Sequence, residues 1–272
     1  MSSAPNLPLL IEPASLQACL ADPAVLLVDL CDPARYAAGH IPGAVSLDYA
    51  DLVRAEPPAM GLLPTEKQLS EVLSRLGLTT ERPVIAYDNQ GSGRAARLLW
   101  TLAALGHERA ALLNGGLDVW IASGGSLETQ HRRPARSAYV AQFLNPAAIA
   151  DRDYLLTRLG QPDLALLDVR TPAEYAGLDR RAARGGHIPG AVNLDWMAAM
   201  DPQRRFQPDS VLRGLLEARG VTPDKEVIVY CQTHHRSAHT YWVLRHLGYP
   251  TVRGYPGSWS EWGNDPDLPV EA

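Results

Sequence analysis

The most constraining feature of this 272-residue chain is that most of it is written twice. GHIPGAVSLD at 39–48 returns as GHIPGAVNLD at 186–195, Leu26–Asp29 as Ala165–Asp168, and Val84–Tyr87 as Val227–Tyr230. Pro33 and Tyr36 match Pro172 and Tyr175, and Trp100, Gly106 and Trp120 match Trp242, Gly248 and Trp262. Copies this long make a duplicated domain and not a short-period solenoid. Tyr36 and His40 lie four residues apart but Tyr175 and His187 lie twelve apart, so the second copy has gained eight residues. The gain falls within Ala176–Gly185, which carries Arg180, Arg181 and Arg184.

Each copy alternates short apolar strands with amphipathic helices. In TEKQLSEVLSRLGL (65–78), Leu69, Val72, Leu73 and Leu76 share one face behind a Thr65 cap; Val211, Leu212, Leu215 and Leu216 do the same in 209–221. Strands and helices in alternation predict the α/β class, with a mostly parallel sheet flanked by helices in each copy. The segment around SLETQHRRPARS has no apolar period and reads as a solvated linker at 126–138. It separates a domain at 1–125 from one at 139–272.

A hydrophobic content of 46% is enough for two cores, and a net charge of −5 argues against binding nucleic acid by phosphate neutralisation. The three cysteines, Cys19, Cys31 and Cys231, are odd in number and far apart, so no disulfide framework is expected. Residues 1–12 carry no basic leader, and no run of about 18 apolar residues occurs. These features predict a soluble, cytoplasmic protein with no membrane partner.

The chemistry is concentrated in Val227–Gly248. Val227–Tyr230 is apolar and mostly β-branched, as a buried strand requires. From Ser237, Tyr241, Trp242, Leu244 and Leu247 return at helical spacing up to Gly248. Cys231 therefore ends a strand and faces the first turn of a helix, where unpaired N–H groups and the positive end of the helix dipole favour an anion. Arg236 adds a permanent cation, and His234 and His235 can add more. A free cysteine titrates near about 8.5, and a drop of roughly two units makes the thiolate dominant at neutral pH. Cys231 reads as a nucleophile.

Aligning Arg94 with Arg236 places Asp88 where Cys231 stands and leaves the first loop one residue longer. Asp88 cannot carry sulfur, so the first domain is expected to be catalytically inactive. Phosphatases that use a cysteine–arginine loop have five residues between the two. Cys231 and Arg236 enclose four, a tighter cradle suited to something smaller than phosphate, such as a terminal sulfur anion. Cys231, His234, His235 and His239 have metal-ligand chemistry but poor spacing for a tetrahedral site.

These residues resemble the rhodanese superfamily in its tandem form, over nearly the whole chain. Tyr36-AAG-HIPGAVSL47 is similar to its N-terminal signature and Gly257-Ser-Trp-Ser-Glu-Trp262 to its C-terminal one. The loop CQTHHRS is similar to that of a bacterial tandem member. The resemblance implies two rhodanese-like domains and a thiosulfate:cyanide-type sulfurtransferase working by double displacement. Cys231 would hold the covalent persulfide, with no other cofactor and no metal. Gln232, Thr233, His234, His235, Arg236 and Ser237 would bind the substrate. It also implies thiosulfate as donor, cyanide or thiol acceptors, a possible protein acceptor, and a monomer. Mercaptopyruvate as donor and a persulfide carrier remain as alternatives, because CQTHHRS matches neither family donor class. Glu174 stands where long members often place a donor-binding arginine, a role that Arg170, Arg180, Arg181 or Arg184 could take over. Asp29, His40, Asp168 and His187 read as structural and the five aligned or signature tryptophans as packing; Trp196, which follows the HIPGA strand, could wall the pocket. Cys19 and Cys31 read as packing thiols.

Overall fold

The computed structural model describes residues 7–272, so part of the stretch read for a leader lies outside the described residues. The elements follow in order: β1 (Leu10–Ile11), α1 (Pro13–Cys19), β2 (Leu26–Asp29), α2 (Pro33–Ala38), β3 (Val45–Ser46), β4 (Arg54–Glu56), β5 (Ala59–Leu62), α3 (Glu66–Arg75), β6 (Val84–Tyr87), α4 (Gly93–Ala104), β7 (Ala110–Leu113) and α5 (Gly116–Ala122). The second copy continues with α6 (Arg152–Arg158), β8 (Leu164–Asp168), α7 (Pro172–Tyr175), β9 (Val192–Asn193), α8 (Asp209–Glu217), β10 (Glu226–Tyr230), α9 (Arg236–His246), β11 (Val252–Gly254) and α10 (Ser258–Trp262).

The first sheet runs β1-β7-β6-β2-β3 and the second β11-β10-β8-β9, all parallel. A parallel bridge between Ile149 and Gly254 takes the place that β1 holds beside β7. Central strands β2, β6 and β7 are buried along their length, as strands covered on both faces must be.

The chain divides into two compact units that are discontinuous in sequence. One holds residues up to Leu52, Pro64–Leu144 and Pro202–Arg205; the other holds Val53–Leu63, Asn145–Asp201 and Phe206–Ala272. Residues 126–138 therefore pack with the first unit. The N–H groups of Ser137, Tyr139, Ala141 and Phe143 find acceptors along α3, from the Ser74 carbonyl to the Glu66 carboxylate. The hairpin β4–β5 belongs to the second unit, where the Met60 N–H donates to Ser260 Oγ at 3.0 Å.

The duplicated HIPGA turns have the same construction. Tyr36 stacks on His40 at 3.8 Å and Tyr175 on His187 at 3.7 Å. The tyrosine hydroxyls donate to the carbonyls of Ala44 and Ala191. His40 bridges Glu128 and His187 bridges Glu271 through paired backbone hydrogen bonds, extending the repeat beyond what the sequence shows.

Candidate active site

Strand β10 delivers Cys231 to the carboxyl end of the second sheet, and α9 begins five residues later. The strand end is anchored from below. Tyr230 is fully buried and its hydroxyl accepts the Ile188 N–H at 3.1 Å.

The loop's carbonyls turn away from the sulfur. The Cys231 carbonyl accepts the Trp259 N–H at 2.9 Å, and that of Gln232 accepts the Ser260 N–H at 3.0 Å. Helix α10 thus clasps the loop from outside. Ser258, at φ +52°, donates to the Tyr255 carbonyl at 2.7 Å, and its Oγ accepts the Cys231 N–H at 3.4 Å. A Cβ on Gly61 of β5 would overlap the carbonyl oxygens of Thr233 and Pro256, so the hairpin can lie against the loop only with glycine there. His234 takes φ +55°, which reverses the chain between strand and helix.

With the carbonyls engaged outside, the donors face inward. The N–H groups of Thr233 and Ser237 are directed to Cys231, and Ser237 Oγ lies 3.4 Å from its sulfur. Cys231 is 1% exposed. Burial alone would raise its pKa, but the charge of Arg236, the Ser237 hydroxyl and the two N–H groups outweigh burial and lower it.

Arg236 faces two ways. Its guanidinium approaches the sulfur and forms a fork with Glu174 at 2.6 and 2.8 Å. Glu174 is the third helical residue of α7 and completes a capping box with Thr171. Burial would raise the Glu174 pKa, yet Arg236 and the Thr171 donors bring it down to about 2. The carboxylate therefore fixes the direction of the cation, a partnership visible in the sequence only as Thr171-x-x-Glu174.

The remaining loop side chains diverge. Gln232 donates to the Arg181 carbonyl at 2.9 Å and ties the eight-residue insertion to the loop. The buried His234 turns Nδ1 to Ser237 Oγ at 2.7 Å. His235 is half-buried, with its ring 6.1 Å from Trp196. Among the described residues no three His, Cys, Asp or Glu side chains converge as metal ligands.

Two arginines weighed as replacements for a donor-binding cation are unavailable. Arg170 is fully buried, pairs with Asp168 at 2.6 Å and packs over Trp259 at 4.5 Å. Arg184 donates to the carbonyls of Leu268 and Trp262. Arg180 and Arg181 stay exposed on the insertion, Arg181 paired with Asp179 at 2.9 Å.

In the first copy Asp88 fills the same seat. Its carboxylate, 1% exposed in total, accepts N–H bonds from Gln90, Ser92, Arg94 and Ala95 at 2.7–3.0 Å. The Asp88 carbonyl accepts the Leu117 N–H at 2.9 Å, as that of Cys231 does from Trp259. Cys31, at the position of Arg170, is buried beside Asp29, and burial followed by that charge raises its thiol pKa far from ionisation.

Fold and site together define a duplicated α/β protein with a cysteine-bearing loop at one strand end. The chain belongs to the rhodanese-like domain family, which it matches over residues 12–123 and 151–265. It is 50% identical over 266 residues to a thiosulfate sulfurtransferase of Azotobacter vinelandii, covering 98% of each chain. It is 48% identical over 271 residues to a thiosulfate sulfurtransferase of Pseudomonas aeruginosa, covering both chains fully. A sulfur carrier protein, TtuD, of Thermus thermophilus is 34% identical over 268 residues, 94% of this chain and 93% of that one. The anaerobic ergothioneine biosynthesis enzyme of Chlorobium limicola shares the fold, with a TM-score of 0.88 at 22% identity over 97% of this chain and 70% of that one.

Proposed function

We propose that this chain is a thiosulfate sulfurtransferase that carries sulfur as a persulfide on Cys231. The observation that carries this reading is the inward set of donors around one buried sulfur, with the loop carbonyls tied outside by α10. The Cys231 thiolate attacks the outer sulfur of thiosulfate; the S–S bond breaks and sulfite leaves with its electron pair. The persulfide that remains bears its charge on the terminal sulfur, close to the N–H groups that held the thiolate. Cyanide or another thiophile then takes that terminal sulfur, and the electron pair returns to Cys231 as thiolate. The cycle needs no metal or organic cofactor.

Residues 232–237 act as the anion seat in this reading, with Arg236 the charged member and the exposed Arg181 at its edge. The high identity to two named thiosulfate sulfurtransferases over the whole chain supports thiosulfate over mercaptopyruvate. Three free cysteines suit a reducing cytoplasm, and no helix among the described residues is long and apolar enough to cross a membrane. We take the protein to act as a monomer, since the whole thiol seat is built from residues of one unit.

Steady-state transfer from thiosulfate to cyanide in wild type and Cys231→Ala tests the site. Loss of activity in the variant is expected, and substantial residual transfer rejects it. The sulfur carrier among the relatives favours a second reading, delivery to a thiol or protein acceptor. Mass spectrometry of protein treated with thiosulfate would show a single added sulfur on Cys231 that is lost to the true acceptor.

A further inference from the structure

The hydroxyl of Ser237 sits between two partners, Cys231 Sγ at 3.4 Å and His234 Nδ1 at 2.7 Å. A serine hydroxyl has one proton to donate and two lone pairs that accept. It cannot donate in both directions. If His234 carries its proton on Nε2, then Nδ1 is an acceptor, and at 2.7 Å it captures the hydroxyl proton. The sulfur then faces only an oxygen lone pair, which is repulsive toward a thiolate. If His234 carries its proton on Nδ1, it donates to Ser237 Oγ, and the hydroxyl proton is left with the sulfur as its target.

We propose that His234 is a positioning residue whose Nδ1–H orients the Ser237 hydroxyl toward Cys231, so that His234, Ser237 and Cys231 form one directed hydrogen-bond chain ending on the thiolate. This rests on Cys231 being the working thiolate, and it gives His234 a role distinct from contacting the donor. The backbone supports it. His234 is fully buried and holds φ +55°, a conformation that brings its ring back over the first turn of α9, three residues before Ser237. The first copy shows the same seat without such a chain. There Asp88 Oδ1 takes N–H bonds from Gln90 and Ser92 directly, and no side-chain hydroxyl is required. Besides this chain, the charged groups facing the sulfur are Arg236 and, through it, Glu174 of α7. Both stay in place in the variants below.

The test is titration of the Cys231 thiolate by its ultraviolet absorbance, with Cys231→Ala subtracted, in His234→Gly, Ser237→Ala and the double variant. Glycine is chosen because it accepts the left-handed backbone and brings no side-chain donor in place of Nδ1–H. Each single variant should lose thiolate at pH 7, by about twofold or more, and the double variant should lose no more than Ser237→Ala alone. An unchanged titration in His234→Gly overturns the proposal, as does a further loss from His234→Gly when Ser237 is already alanine. A second measurement needs no substitution at these positions: nitrogen-15 spectra of wild type should show His234 protonated on Nδ1. The Nε2–H form would overturn it. Both readouts concern the resting thiol, so a failed transfer assay leaves them interpretable, and a failure here leaves the sulfurtransferase reading standing.

Discussion

The two strand-to-helix loops offer the same kind of seat and hold different guests. At 88–94 the seat is occupied by the loop's own carboxylate, which takes four backbone N–H bonds. At 231–236 the seat holds a sulfur with fewer N–H groups, a hydroxyl and a guanidinium. Each loop arginine is tied to the start of the helix after the first core strand, Arg94 to Asp32 at 2.7 Å and Arg236 to Glu174 at 2.6 Å. The lesson is that the loop is an anion holder first. In the proposed function, chemistry belongs to the loop whose guest can form and break a bond.

That comparison can be tested at four points. The largest effect should follow from Cys231→Asp, which gives the second loop the first loop's guest: transfer from thiosulfate should fall more than about a thousandfold, while circular dichroism and melting stay close to wild type. Retained activity would remove the distinction between the two loops. Asp88→Ala should leave several buried donors without an acceptor and cost about 3 kcal/mol in denaturant unfolding of the first unit. Little change there would mean that water replaces the carboxylate at no cost.

Next comes a difference one helical turn beyond the loops. Arg97 of the first copy is buried over Trp100, whereas its counterpart His239 is a buried imidazole between Trp196 and Phe206. Burial, and then His235, lower the His239 pKa to about 3. The unfolded chain therefore binds a proton near pH 6.5 that the folded one refuses. Stability contributed by neutral His239 is intact above about 6.5 and falls as pH drops toward 3, by about 2 kcal/mol at pH 5. His239→Phe should flatten that dependence in unfolding measured at pH 5 and pH 7. The smallest effect is expected from Arg236→Lys, which keeps the charge and loses the fork to Glu174. Thiosulfate kcat/KM should drop about tenfold, and the thiolate should titrate at higher pH.

Much of this was legible in the residues. The duplication, the mostly parallel sheets implied by alternating strands and helices, and the placing of Cys231 and Asp88 at equivalent strand ends all follow from apolar runs and matched motifs, which act over a few neighbouring positions. The N-terminal cap of α3 is likewise local, and appears as a full capping box of Thr65 with Gln68. What could not be read involves partners distant in the chain. Glu174 looked like a missing donor-binding arginine, yet it is the group that aims Arg236 from 62 residues away. Arg170 looked available and is consumed by Asp168. Gln232 and His234 carry side chains suited to a sulfonate, but one reaches the insertion and the other reaches Ser237. Side-chain type announces capacity; only the fold decides who is in range.

The hairpin at 53–63 has a consequence for the history of the molecule. A freshly duplicated domain could be cut at its seam into two self-sufficient halves. Here the ribbon carrying Gly61 comes from the first half of the sequence and completes the second unit, and a short stretch at 202–205 does the reverse. The two halves have exchanged parts, so residues 139–272 made alone would lack the strand that lies against the Thr233 carbonyl. Neither half of the sequence holds all the residues of one unit.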